Sequence, residues 1–317
     1  MQQIMDVVHR TPVHSSTSIN KLTGKNVYFK MENQQKTGAF KLRGASNKIA
    51  QLTDSEARRG VIAASAGNHA QGVAFAATKL GINSKIFMPE KTPNAKVQAT
   101  KGYGAQIVLT GESFQEAYEA AMETQQKEDL VFVHPFDDPD VIAGQGTIAL
   151  EMLQQEPSLD TIMVPVGGGG LISGIAIAAK HINPKIRIIG VQAKGASPAY
   201  NRFYRSGPST VKTVSTIADG IAVKKPGIQT FPLIQQYVDD IVTVSDEDIA
   251  LAMVYMLERR KSLLEGAGAT AFAGLLAHGH RIPSKQCGVI VSGGNMDLSK
   301  MPMIQSLAQK NHLTCLA

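Results

Sequence analysis

Strand-like apolar runs alternate with helix-like stretches along most of the 317 residues, and glycines stand at the changeovers. NVYFKM (Asn26–Met31), VIAAS (Val61–Ser65), KIFMPE, QIVLT, LVFVHP, TIMVPV, RIIGVQ and CGVIVSG read as strands. Between them, AGNHAQGVAFAATKLGI, VIAGQGTIALEMLQQE and LISGIAIAAKHI read as helices. This alternation implies an α/β fold of parallel sheets with helices on both faces. The strand runs are continuously apolar, as suits strands buried on both sides. Pro165, within TIMVPV, fits a central strand only if the hydrogen-bond ladder is ending there. Two sheets are expected: residues 50–138 in a small domain, and residues 1–49 with 139–317 in a larger one.

Composition narrows the function classes. The chain is 43% hydrophobic and 18% charged, an ordinary globular balance. A net charge of +6 raises nucleic-acid binding as a question. No run of five basic residues and no basic stripe interleaved with aromatics supports it. Arg58-Arg59 and Arg259-Arg260-Lys261 fall in helix-like segments and read as solvated faces. Two cysteines make no disulfide framework, so a reducing cytoplasm is the expectation. The N-terminus lacks the pattern of a signal peptide. No apolar stretch reaches the roughly 18 residues of a membrane helix.

Three strands run into turns of glycine and small polar residues: Ser65-Ala66-Gly67-Asn68-His69, Gly167-Gly168-Gly169-Gly170, and Ser292-Gly293-Gly294-Asn295. Ligands of open α/β sheets bind outside the carboxyl ends of strands. Four consecutive glycines offer bare N–H groups, and the helix that follows adds its positive end, so Gly167–Gly170 reads as a phosphate site. A tight turn would need only one or two glycines. The P-loop pattern is absent. G-x-G-x-x-A occurs from Gly144 and from Gly266, but neither follows a strand, and both are read as chance matches. Gly168-x-Gly170-x-x-Ser173 lacks the third small residue and the acidic partner of a nicotinamide site. A small phosphorylated cofactor remains. Lys41, within KTGAFKLRGA, is set among glycine, alanine and phenylalanine, a position suited to an amine used as a reagent.

KTGAFKLRGA, SAGNHAQG, VGGGGLISG, TIADG and SGGNMDLS occur in the order seen in pyridoxal-phosphate enzymes of fold type II. The chain resembles the serine/threonine dehydratases of that group, near the short catabolic threonine dehydratases and serine racemase. The resemblance covers nearly the whole chain. It implies two open twisted parallel-sheet domains with flanking helices, tryptophan synthase β-like, with pyridoxal 5'-phosphate in the cleft between them. It implies that Lys41 bonds the cofactor aldehyde and, once freed, takes the Cα proton. Phe40 would pack on the cofactor ring, Asn68 would bond the ring hydroxyl, and Gly167, Gly168, Gly169 and Gly170 would hold the phosphate. Ser292 would meet the pyridine nitrogen, where a hydroxyl makes the ring a weaker electron sink than a carboxylate would and favours prompt β-elimination. Ser65, Ala66, Gly67, Asn68 and His69 would hold the substrate carboxylate, with no proton-transfer role for His69. Asp219 would lie near the substrate hydroxyl and Glu265 near the cofactor; a turn cap and a structural role are their alternatives.

Departures from the resemblance refine it. Serine racemase carries a serine where this chain has Ala66, and that hydroxyl serves the substrate face opposite the lysine. Alanine carries no proton, so elimination is expected over racemisation. Gln192 and Pro198 stand at positions of the racemase metal site, and no metal is expected. The chain ends soon after SGGNMDLS, so no C-terminal regulatory domain is expected. The implied activity is threonine/serine dehydratase: L-threonine to 2-oxobutanoate and ammonia, L-serine to pyruvate and ammonia. Serine racemase or 3-hydroxyaspartate dehydratase is the alternative within the family; a non-catalytic regulator or a nicotinamide oxidoreductase is the alternative outside it. The partner is a small-molecule amino acid, with no nucleic acid and no membrane, and a homodimer or homotetramer is expected.

Overall fold

The computed structural model describes residues 2–315, with side-chain surroundings for residues 3–310. Its strands are β1 (Val13–Ser15), β2 (Asn26–Met31), β3 (Val61–Ala64), β4 (Ser84–Met88), β5 (Gln106–Leu109), β6 (Val131–Phe132), β7 (Thr161–Pro165), β8 (Arg187–Ala193), β9 (Asp240–Val244) and β10 (Gln286–Val291). The chain divides into two compact units, Met1–Arg10 with Gln35–Gln145, and Thr11–Gln34 with Gly146–Ala317.

The first unit holds a four-stranded parallel sheet in the order β5-β4-β3-β6. Every residue of β3 is buried, which explains its unbroken VIAA run. The expected strand LVFVHP shortens to two residues paired with β3 alone; the Val133 N–H still reaches the Ile62 carbonyl at 2.9 Å, and the chain bends from Pro135. The helix Asn68–Lys79 follows β3, and Gly81 (φ +71°) lies just beyond its end.

The helix Lys41–Ala50 belongs to this unit, whereas the sequence expectation placed residues 1–49 in the larger domain. Close packing explains the difference. A side chain at Gly72 would stand 3.1 Å from the backbone of Lys41 and Leu42. One at Gly144 would stand 2.6 Å from the Arg43 carbonyl. Glycine at both points lets two neighbouring helices close on the lysine helix. The division at Gln145/Gly146 falls inside the helix Pro139–Gln155, not at the expected residue 138.

The second unit holds a six-stranded sheet in the order β1-β2-β10-β7-β8-β9. All its pairings are parallel except that of β1 with β2. Pro165 sits where the ladder from β7 to β10 has already ended, at Met163, while β8 still pairs on the other side. The missing N–H therefore costs no sheet bond on the β10 side. The helix Gly266–His278 carries the second G-x-G-x-x-A run, and its glycines have a packing reason. A side chain at Gly266 would meet the Ile217 carbonyl at 2.5 Å, and one at Gly268 the Gly293 carbonyl at 2.0 Å. Among the described residues, no helix is long and apolar enough to cross a membrane.

Candidate functional site

In the first unit, Lys41 opens its helix, directly after Phe40. Its ammonium lies 5.3 Å from the Phe40 ring centroid and donates to the Pro135 carbonyl at 2.6 Å. The turn that presents this carbonyl is closed by His134, whose Nδ1 accepts from the N–H groups of Phe136 (3.2 Å) and Asp137 (2.7 Å). The carbonyl one residue before His134, that of Val133, meets His69 Nε2 at 2.8 Å. Three adjacent residues of one loop thus serve Lys41 and His69, and sequence reasoning singled out none of them.

Burial, with the nearby Lys41 charge, pushes the His69 pKa down to about 3. The ring is therefore neutral, and its Nε2 proton is donated to Val133. This suits a positioning role and not proton transfer. Burial also lowers the pKa of His134, against the opposing pull of Asp137 and Asp138.

Ser65, Gly67, Asn68 and His69 form the start of the helix Asn68–Lys79, with Gly67 as its N-cap. A side chain at Gly67 would meet nothing within 4 Å. Packing does not demand glycine there, whereas close approach of a ligand would. Ser65 Oγ accepts the Gly67 N–H at 3.2 Å, so that amide is spent within the turn. The N–H groups of the first helical turn beyond it have no intrahelical acceptor, and they favour a carboxylate.

In the second unit, Gly167–Gly170 leads from β7 into the helix Gly170–Ile182. Gly169 is left-handed at φ +102°, and a side chain there would stand 2.7 Å from Thr230 Oγ1. A side chain at Gly167 would stand 3.1 Å from Ile221 Cα. The turn is therefore a cradle that even one methyl would disturb, opening on a helix N-terminus. That matches the needs of a phosphate monoester.

Ser292, at the end of β10, is buried and donates its hydroxyl hydrogen to the Ala267 carbonyl at 3.2 Å. Glu265 caps the helix that begins at Gly266, and its own N–H reaches the Gly293 carbonyl at 3.3 Å. Asp219 is exposed and paired with Lys300 Nζ at 2.8 Å. The fold of this unit brings Ser292 and Glu265 to the same end of one helix and sets Asp219 beside Lys300. Gln192, at the questioned metal position, is buried with both ends of its amide engaged: Nε2 with the Val166 carbonyl (3.2 Å) and Oε1 with the Tyr200 N–H (2.8 Å).

Known proteins are similar to this chain along most of its length. Residues 4–293 match the family described as pyridoxal-phosphate dependent enzyme. The chain is 49% identical over 301 residues to an L-threonine ammonia-lyase of Thermotoga maritima, covering 95% of this chain and 75% of that one. Its structure is similar to the processed form of threonine deaminase isoform 2 from Solanum lycopersicum, with a TM-score of 0.93 and 39% identity, covering 97% of this chain and 85% of that one. It is also similar to maize serine racemase, with a TM-score of 0.91 and 40% identity, covering 98% and 96%. With the match running from before the lysine helix to the end of β10, this chain belongs to the pyridoxal-phosphate dependent enzymes.

Proposed function

We propose that this chain is a threonine/serine dehydratase, releasing ammonia from L-threonine to give 2-oxobutanoate and from L-serine to give pyruvate. One observation carries the reading: identity near one half, over 95% of the chain, to a protein named for ammonia release from threonine. Pyridoxal phosphate, when bound, supplies the electron sink that lets a Cα proton leave.

The chain's own residues supply the rest. Lys41 is the residue that would bond the cofactor aldehyde, and its free amine is the base for the Cα proton. The Pro135 carbonyl holds that nitrogen at 2.6 Å. A hydrogen bond from a charged donor is roughly twice as strong as a neutral one. The bond to the carbonyl therefore fixes where the amine sits. Phe40 would pack on the ring, Asn68 would bond its hydroxyl, Gly167–Gly170 would hold its phosphate, and Ser292 would meet its nitrogen. Ser65 and the helix start at Ala66–His69 would hold the substrate carboxylate. Asp219 would face the substrate hydroxyl and Glu265 the cofactor. The enzyme is read as cytoplasmic and as a homodimer or homotetramer; light scattering of the purified protein tests the oligomeric state.

The likeness to maize serine racemase favours a second reading, racemisation. Ala66 opposes it, since a methyl cannot deliver a proton to the second face. One experiment tests both readings: turnover of L-threonine, L-serine and D-serine, with chiral analysis of residual serine, in wild type and Lys41→Ala. The wild type should show a visible absorbance band that borohydride removes, and should produce both 2-oxo acids. Lys41→Ala should lose the band and nearly all turnover, since acid–base catalysis alone is worth about 10²–10⁴-fold. A variant that keeps both would sink the assignment of Lys41. Substantial D-serine from the wild type would sink the preference for elimination.

A further inference from the structure

A glycine turn that receives phosphate must do more than bare its N–H groups. Each of its peptide units also carries a carbonyl, and a carbonyl turned toward an anion repels it. The Gly169 carbonyl is already committed to the helix, accepting the Ser173 N–H at 3.0 Å. The Gly168 carbonyl lies one residue earlier. It accepts from two donors of a single segment: the Thr230 hydroxyl at 2.6 Å and the Gly227 N–H at 3.0 Å. A carbonyl oxygen has two lone pairs, so both are engaged.

The peptide unit is planar and trans, so the Gly168 carbonyl and the Gly169 N–H share one plane and point in opposite directions. Whatever holds the carbonyl aims the N–H. Thr230 is well placed to do so. It is fully buried, and its own carbonyl accepts Ser173 Oγ at 3.2 Å, tying it to the helix that the turn begins. It also packs so near Gly169 that no side chain fits between them.

We propose that Thr230 is a positioning residue for the cofactor phosphate: its hydroxyl holds the Gly168 carbonyl back and thereby directs the Gly169 N–H to the phosphate. This rests on the reading that Gly167–Gly170 holds that phosphate. Valine at position 230 would fill the same space without the hydroxyl, and serine would keep the hydroxyl.

The test titrates cofactor-free full-length protein with pyridoxal phosphate and, separately, with pyridoxal, which has the same ring and aldehyde but no phosphate. Binding is read from the visible band, and thermal unfolding of the cofactor-free protein is recorded alongside. Thr230→Val should bind pyridoxal phosphate about 10–100-fold more weakly, the range found when a residue that orients a metal ligand from behind is removed. Its affinity for pyridoxal should be unchanged, and Thr230→Ser should stay near wild type. Should Thr230→Val fail to fold, Thr230→Ala carries the same expectation with less bulk. Unchanged affinity for pyridoxal phosphate, or equal losses for both ligands, overturns the proposal. Gly170→Asp separates it from its premise by placing a carboxylate in the turn itself. If that variant keeps the wild-type preference for pyridoxal phosphate over pyridoxal, the phosphate assignment fails. If it loses the preference while Thr230→Val retains it, only the role of Thr230 fails.

Discussion

Gly268→Ala should damage both stability and turnover, although the residue touches no substrate in the proposed reading. The added methyl would lie 2.0 Å from the Gly293 carbonyl oxygen, 3.0 Å from its carbon and 3.1 Å from its nitrogen. Real Cβ contacts essentially never fall under 3.0 Å, so the backbone of residue 293 or the helix start must move by 3.0 − 2.0 = 1.0 Å or more. The obstacle is backbone on both sides, which places the cost near the upper end of overpacking, about 3 kcal/mol. Alanine returns up to about 1 kcal/mol through helix propensity. The net loss is about 2 kcal/mol, or a fall in Tm of about 4–8 °C at about 2–4 °C per kcal/mol. Ser292 precedes Gly293 and is tied to Ala267, within the same helix start, by its 3.2 Å bond. A displacement of about 1 Å there should lower kcat about 10²-fold. The assay pairs thermal unfolding with 2-oxo acid formation from L-threonine. Gly102→Ala is the control, because a side chain there would meet nothing within 4 Å. It should leave turnover unchanged and Tm unchanged or slightly raised. A Gly268→Ala protein as stable and as active as wild type would refute the packing argument.

Further outcomes are expected elsewhere. Ala66→Ser should produce some D-serine from L-serine without abolishing dehydration, detected by chiral chromatography; no D-serine would mean that the hydroxyl alone is insufficient. His69 has a folded pKa of about 3 against an ordinary 6.5, so the unfolded chain takes up the proton first as pH falls. Its contribution is complete above pH 6.5 and is lost toward pH 3, at up to about 1.4 kcal/mol per pH unit, and unfolding of His69→Gln should lack this acid slope. Lys30, fully buried, pairs with Glu151 at 2.7 Å and also donates to the Thr11 carbonyl and Gln155. Lys30→Met should cost about 3–5 kcal/mol by urea unfolding, and adding Glu151→Leu should recover much of it; a neutral single variant would contradict this.

The α/β class, most of the strands and the glycine turns were legible in the sequence, because each rests on local periodicity. VIAA and the IMVP of the strand Thr161–Pro165 are apolar without interruption because both faces of their strands are covered. Lys41 stood out by its setting, and the five ordered motifs made its resemblance specific. Shorter elements escaped. β1 has three residues, and β9 (DIVTV) lacks an apolar run, although the capping box of Ser245 and Asp248 marks the helix that follows it. The G-x-G-x-x-A runs read as chance matches in the sequence, and their packing role depends on backbone from distant segments. The lysine helix went to the unit opposite to expectation for the same reason. The groups that hold the candidate site are hidden most deeply. Pro135 lies 94 residues from Lys41, and Thr230 lies 62 residues from Gly168. In both pairs the accepting atom is a backbone carbonyl, which every residue possesses and no sequence pattern distinguishes. Side-chain chemistry and local period are written in the order of residues. Which carbonyl meets which donor is decided only when the sheets and helices have packed.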